Sequence, residues 1–226
     1  MQNLYLFITI INKRDFAEFE KFFAAHKVSP IYETLCDGAA ASDTLSILGF
    51  EKSEKTIMQS LVTGPQVRAL THDLTYDMDI DLPNRGIALA VPLSSIVSRA
   101  LTERISAQGE SIAPPQDTDT ERKTNMELVI AICSKGNSAE VMKLARAAGA
   151  SGGTIVKAKG TAPEGMDTFF GMSLSNEKEI IYIVTKKEKK NDIMQAVVSF
   201  KTAEGLHPIA FSLPVSDIAG FRLMKD

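Results

Sequence analysis

Residues 3–101 are written a second time at 125–223, at a constant offset of 122 and without a gap. About a fifth of the aligned pairs are identical. Leu6, Ile8 and Ile10 fall on Leu128, Ile130 and Ile132, and Val62-Thr63 falls on Val184-Thr185. "IALAVPLSSI" at 87–96 falls on "IAFSLPVSDI" at 209–218. Such a register points to domain duplication. Two copies are too few for a solenoid, so each must close its own core. The expected organisation is a first domain at 1–101, a linker at 102–124 and a second domain at 125–226. The linker reads "TERISAQGESIAPPQDTDTERKT", which from Gly109 onward is polar, Pro-rich and aperiodic.

Within one copy the hydrophobic period alternates between two and 3.6. Leu4, Leu6, Ile8 and Ile10 line one face of a strand at about 3–11, and Tyr5, Phe7, Thr9 and Ile11 the other. Phe16, Phe19, Phe22 and Phe23 then make a helical stripe, matched by Val141, Leu144 and Ala145. Asp15 with Glu18, and Asn137 with Glu140, have the spacing of a capping box. Second strands are expected at about 30–36 and 153–159, and third strands near 55–62 and 178–184. Thr63 and Thr185 read as caps of a second helix, with Pro65 in its first turn and Glu188 completing a box. "IALAVPL" and its counterpart are the fourth strand.

The order βαββαβ gives an α+β fold, two tandem ferredoxin-like domains. Pro92 and Pro214 fit a fourth strand at the sheet edge. Helices cover one face of such a sheet. The row Tyr5, Phe7, Ile11, and its counterpart Val129, Ala131, Cys133, is expected to be buried by oligomerisation instead.

"GASGGTIVKAKGTAPEGM" at 149–166 sets glycines on both sides of an alternating strand. With Gly152-Gly153-Thr154 leading in and Lys159-Gly160 leading out, the second copy resembles the PII-type signal-transduction proteins, trimeric regulators of nitrogen metabolism. "KEIIYIVTKKEKKNDIMQAVVSFKTAEG" at 178–205 resembles that family's third strand, second helix and short nucleotide-contacting loop. The resemblance covers nearly all of copy two and the outline of copy one. It implies a nucleotide, ATP or ADP, held as a regulatory ligand between neighbouring domains of a trimer. Gly153, Thr154, Lys159, Gly160 and Gly205 are the implied contacts, and a protein target is implied to dock on the loops.

The chain departs from that family's pattern in several places. The long loop is short and shows no tyrosine-bearing segment. "TAEGLHP" at 202–208 lacks a lysine, and the basic tail is reduced to Arg222 and Lys225. In copy one the lead-in is Ser29-Pro30-Ile31 and the exit Asp37-Gly38, an acid where an anion would sit. Phe169, Phe170 and Met172 lie in the loop of copy two, and Ile47, Leu48 and Phe50 in that of copy one. The loop is expected to fold down as a short helix, with a docking surface as the other reading. Lys186-Lys187-Glu188-Lys189-Lys190 reads as a solvated first helical turn.

Composition narrows the function. A formal net charge of −3 gives no reason to expect nucleic acid. The apolar run Leu4–Ile11 is too short to span a bilayer and lacks a signal-peptide pattern. Cys36 and Cys133 make no disulfide framework, so a reduced, cytoplasmic setting is expected. His26, His72 and His207 have no companions at metal-ligand spacing. With no carboxylate pair or Cys/His arrangement in view, neither catalytic residues nor a metal is expected. A regulatory, non-enzymatic sensor is the expected function. A ligand-free interaction or scaffold module on the same fold is the alternative.

Overall fold

In the computed structural model, the described residues are 3–40, 53–94, 107, 124–159, 168–169, 172–173, 177–203, 205 and 207–220. The linker apart from residues 107 and 124, the counterpart loop with Ile47, Leu48 and Phe50, Gly160, Phe170, Arg222 and Lys225 lie outside them. The chain forms two compact units. The first comprises residues 1–35, 55–124 and 214–226, and the second residues 36–54 and 125–213.

The first unit contains β1 (Leu4–Asn12), α1 (Phe16–Ala25), the start of β2 (Tyr32–Ala40), β3 (Ser53–Thr63), α2 (Gly64–Tyr76) and β4 (Gly86–Pro92). Its strands lie in the order β2-β3-β1-β4, with β1 antiparallel to β3 and to β4. This is the expected ferredoxin-like order. The Phe stripe of α1 is its core. Phe19, Phe22 and Phe23 pack with Phe7 and Ile11 of β1, Val67, Leu70 and Leu74 of α2, and Met58 and Val62 of β3. Phe7 and Phe22 meet Phe23 edge-on, at 6.2 and 5.4 Å between centroids, the arrangement ring quadrupoles favour.

α2 starts as read. Thr63 Oγ1 accepts from the Gln66 amide at 3.5 Å, and Gln66 Oε1 accepts from the Thr63 amide at 3.0 Å, a reciprocal box with Pro65 in the first turn. α1 does not. Asp15 makes no side-chain cap, because its backbone is already in the helical region and its Oδ2 accepts from Asn12 Nδ2 at 3.2 Å, while Glu18 is held by Arg85 at 2.9 Å. Nor is β4 the edge strand expected from Pro92. The short β11 (Asp217–Ala219) pairs with it through Asp217–Ala90 and Ala219–Ala88. The Ser216 amide also donates to the Ala90 carbonyl at 2.9 Å.

The second unit repeats the plan with β5 (Met126–Ser134), α3 (Ser138–Ala147), β6 (Gly152–Lys159), β9 (Glu177–Lys186), α4 (Lys190–Ser199) and β10 (Ile209–Pro214). Its strand order is β10-β5-β9-β6. Between β6 and β9, Thr168–Phe169 (β7) and Met172–Ser173 (β8) form a small hairpin with Phe169 opposite Met172. The expected short helix is therefore replaced by two strands. Residues 37–40 of β2 run antiparallel to β6, with Asp37 opposite Ile155 and Gly38 opposite Thr154.

The sheet-face assignment is corrected in both units. Phe7 and Ile11, and likewise Val129, Ala131 and Cys133, lie beneath their own helices. These are the rows expected to need an oligomer. The opposite row is buried too at Leu4, Ile8, Ile10 and Leu128. Among the described residues no helix is long and apolar enough to cross a membrane.

Candidate functional site

The implied ligand residues of copy two sit on β6 and in the loop before β10. β6 is flanked by β9 on one side and by β2 residues 37–40 on the other. Thr154 stands opposite Tyr182 of β9 and opposite Gly38 of β2. Paired residues in a sheet share a face. Thr154, Val156 and Ala158 therefore share the face of Tyr182, Ile180 and Lys178, away from the helices. Thr154 is buried.

Gly153 is on the other face and answers to packing. A Cβ built there would meet Met142 Sδ at 2.8 Å and Ile181 Cγ2 at 3.2 Å. The glycine lets α3 lie close on β6. Lys159 is exposed at the strand end, opposite Glu177. Lys135 donates to Glu177 Oε2 at 2.6 Å, and this bond holds the Glu177 carboxyl below its usual range, with a smaller contribution from Lys159.

Gly205 has φ +80° and donates to the Thr202 carbonyl at 2.9 Å in a tight turn, a conformation L side chains rarely adopt. It precedes β10, and β10 and β6 are the two ends of the order β10-β5-β9-β6. Three strand spacings of ~4.8 Å separate them, roughly 14 Å. The second unit brings Gly153, Thr154 and Lys159 onto one strand and puts Gly205 in the loop that leads into β10, the strand at the other end of the order.

Two functional-looking residues escape the sequence reading, and both open β9. Lys178 is 5% exposed, and its buried Nζ has no hydrogen-bond partner among the described residues. Burial pushes its ammonium below the usual lysine range, against a smaller opposing effect of Cys133. Ser134 stands opposite it on β5 and Ala158 on β6. Thr154 lies four residues along the same face from Ala158, roughly 13 Å at ~3.3 Å per residue. A lysine among β-formers was the available signal, since Lys178 falls in step with Ile180 and Tyr182.

Glu179, next in line, points to the helix face. Its Oε2 accepts from the amides of Gly136 and Ser138, each at 3.1 Å, and so caps α3. The helix N-terminus thus takes its anion from a distant strand, and Asn137 makes no side-chain cap. Thr185 is likewise no cap. β9 runs on to Lys186 and α4 starts at Lys190, so the lysine cluster forms the turn before the helix. Opposite Glu179, the Cys133 thiol is pushed up to about 12 by burial and then by the Glu179 charge, which leaves it unreactive. Among the described residues no group of three or more His, Cys, Asp or Glu could hold a metal.

Residues 126–225 match the family described as nitrogen regulatory protein P-II. A PII-like signalling protein from Thermus thermophilus is 16% identical, covering 42% of this chain and 86% of its own, with a TM-score of 0.30. A microcompartments protein from Desulfitobacterium hafniense is 10% identical over 94% of both chains, with a TM-score of 0.26. Both likenesses are weak. No curated protein matches the chain. The family match starts at the first residue of β5 and takes in β6, β9, α4 and β10.

Proposed function

We propose that this PII-type signalling protein senses an anionic small molecule, an adenine nucleotide in the leading form, and relays its presence to a protein partner. One observation carries the anionic part: a lysine ammonium is buried on β9 with no acceptor among the described residues. An orphaned buried charge is costly, and a bound carboxylate or phosphate would supply what it lacks. Thr154 on the same face offers a hydroxyl, and Lys159, at the exit of β6, a second cation. Gly160 and Gly205 remain proposed contacts. Because the loop of Gly205 leads into β10, at the other end of the strand order from β6, a ligand touching both is proposed to be shared between neighbouring copies. This supports a homo-oligomer, most simply three chains. The P-II family also makes nitrogen metabolism and the cytoplasm the setting to test first.

The alternative is a ligand-free interaction or scaffold module. It is favoured by Gly153, whose missing side chain is accounted for by Met142. Thermal shift with ATP, ADP, a cyclic dinucleotide and inorganic phosphate separates the two, since a ligand that binds only the folded state raises the melting temperature. A saturable shift with any of them supports the sensor. No shift and no heat at millimolar concentration supports the module.

A further inference from the structure

We propose that His26 and Asp73 form a proton-operated latch joining the two helices of the first unit. His26 is the C-cap residue of α1, and Asp73 lies in the last turn of α2. His26 Nδ1 is 2.9 Å from the Phe22 carbonyl oxygen, and Nε2 is 2.8 Å from Asp73 Oδ2. A carbonyl oxygen only accepts, and so does an ionised carboxylate. Both ring nitrogens must therefore donate, which only the imidazolium can do. The cation also stands at the C-terminus of α1, where the helix dipole favours it. The ring stacks on Phe22, 4.2 Å between centroids, and Phe22 belongs to the core.

The other carboxylate oxygen is engaged as well. His72 Nδ1 lies 2.8 Å from Asp73 Oδ1, and the His72 ring rests on Tyr76 at 4.5 Å. Burial pushes the Asp73 carboxyl up, and hydrogen bonds from His26 and His72 more than offset it, leaving it below its usual value. The titratable and charged neighbours along the chain are Lys27, next to His26, and Asp77, one turn beyond Asp73.

Removing a proton from His26 leaves one ring nitrogen with a lone pair facing an acceptor. Either the Phe22 or the Asp73 contact must then open. Protonating Asp73 removes an acceptor from the other side. The latch is closed only while Asp73 is ionised and His26 carries both protons.

The second unit carries no histidine at the corresponding helix end. The C-cap of α3 is Ala148, which packs on the apolar core of that unit. Asp73 precedes the buried Leu74, and the residue that precedes the buried Val197 in α4 is Ala196.

Two measurements on the full chain test the latch. The first is the ring-nitrogen NMR spectrum of His26 at pH 6, expected to show protons on both nitrogens. The second is hydrogen exchange at the Lys27 and Val28 amides, which donate to Ala24 and Phe23 carbonyls behind the latch. After correction for intrinsic exchange, opening at pH 8.5 is expected to exceed that at pH 6 by about tenfold in the wild type. In His26→Gln, which hydrogen-bonds without a proton switch, the two are expected to agree. A neutral tautomer at pH 6, or equal pH dependence in wild type and variant, overturns the proposal.

Discussion

Met142 fills the space that a side chain at Gly153 would need, its sulfur 2.8 Å from the built Cβ. Gly153→Val is therefore expected to destabilise the fold through overpacking, by about 2–3 kcal/mol. Met142→Ala should cost ~2–5 kcal/mol alone by leaving a cavity. Combined, the two should cost clearly less than their sum, because each removes the other's problem. Denaturant midpoints of the four proteins in this cycle measure it. Simple additivity would mean that the two side chains do not compete for one space.

Glu179 is buried and accepts two amide hydrogen bonds at the start of α3. Glu179→Ala orphans both donors and is expected to cost about 2–4 kcal/mol, on the scale of ~1–3 for each buried group left unpaired. Glu179→Gln keeps an oxygen acceptor and should cost about 1 kcal/mol by losing the charge assistance. The Cys133 thiol should stay unreactive toward alkylating reagents in Glu179→Gln, because burial, not the neighbouring charge, is the larger cause of its high value.

The strands, the Phe stripe and the βαββαβ order were legible in the sequence, because alternation and helical spacing report burial directly. The ungapped offset was less faithful than its length suggested. β1 sets Leu4 opposite Thr63, whereas β5 sets Met126 opposite Lys186, one residue beyond the place of Thr63 at that offset. In β3 the helix face holds Met58 and Val62, and in β9 Ile181 and Ile183. A one-residue slip exchanges the faces of a strand, so identity at Val184-Thr185 concealed a change of role. Thr185 could not cap α4 for that reason. The site was less legible still. Gly153 carries the same letter whether a phosphate or a methionine lies against it, and Lys178 is unusual only once its burial is known. The cap at Asn137 was not legible because Glu179, which takes the α3 amides, comes from a distant strand, and Asp15 is drawn into the helical region with its carboxylate on Asn12.

Acid should loosen the first unit through Asp73. Its carboxyl is held below the usual value in the folded chain, so the unfolded chain takes up the proton more readily. The resulting stability is fully present above the unfolded value and is lost as pH falls through the folded one. Asp73→Asn is expected to be less stable than the wild type at neutral pH, with the gap closing on the acid side. Melting temperatures of both proteins from pH 7 to pH 2.5 check this. A gap that stays constant over that range would show that the carboxylate contributes through shape alone.

Lys178 gives the test that joins stability to function. Its ammonium is buried without an acceptor among the described residues, which burdens the unliganded fold. Lys178→Met keeps most of the side-chain volume and removes the charge. Without ligand the variant is expected to be more stable than the wild type, by about 1–3 kcal/mol, the range for relieving an unsatisfied buried polar group. The pH dependence has a definite sign. Burial lowers the folded lysine below its ordinary value of 10.5, so the unfolded chain binds the proton more tightly. Wild-type stability should then rise with pH as the folded value is passed, until pH reaches the ordinary lysine range. The variant should lack that rise. With ligand the order reverses. If an anion neutralises this ammonium, millimolar ATP or ADP should raise the wild-type melting temperature and leave Lys178→Met unmoved. A variant that is stabilised but still responds to nucleotide would place the anion elsewhere, and a destabilised variant would show that the ammonium already has an acceptor in the unliganded protein.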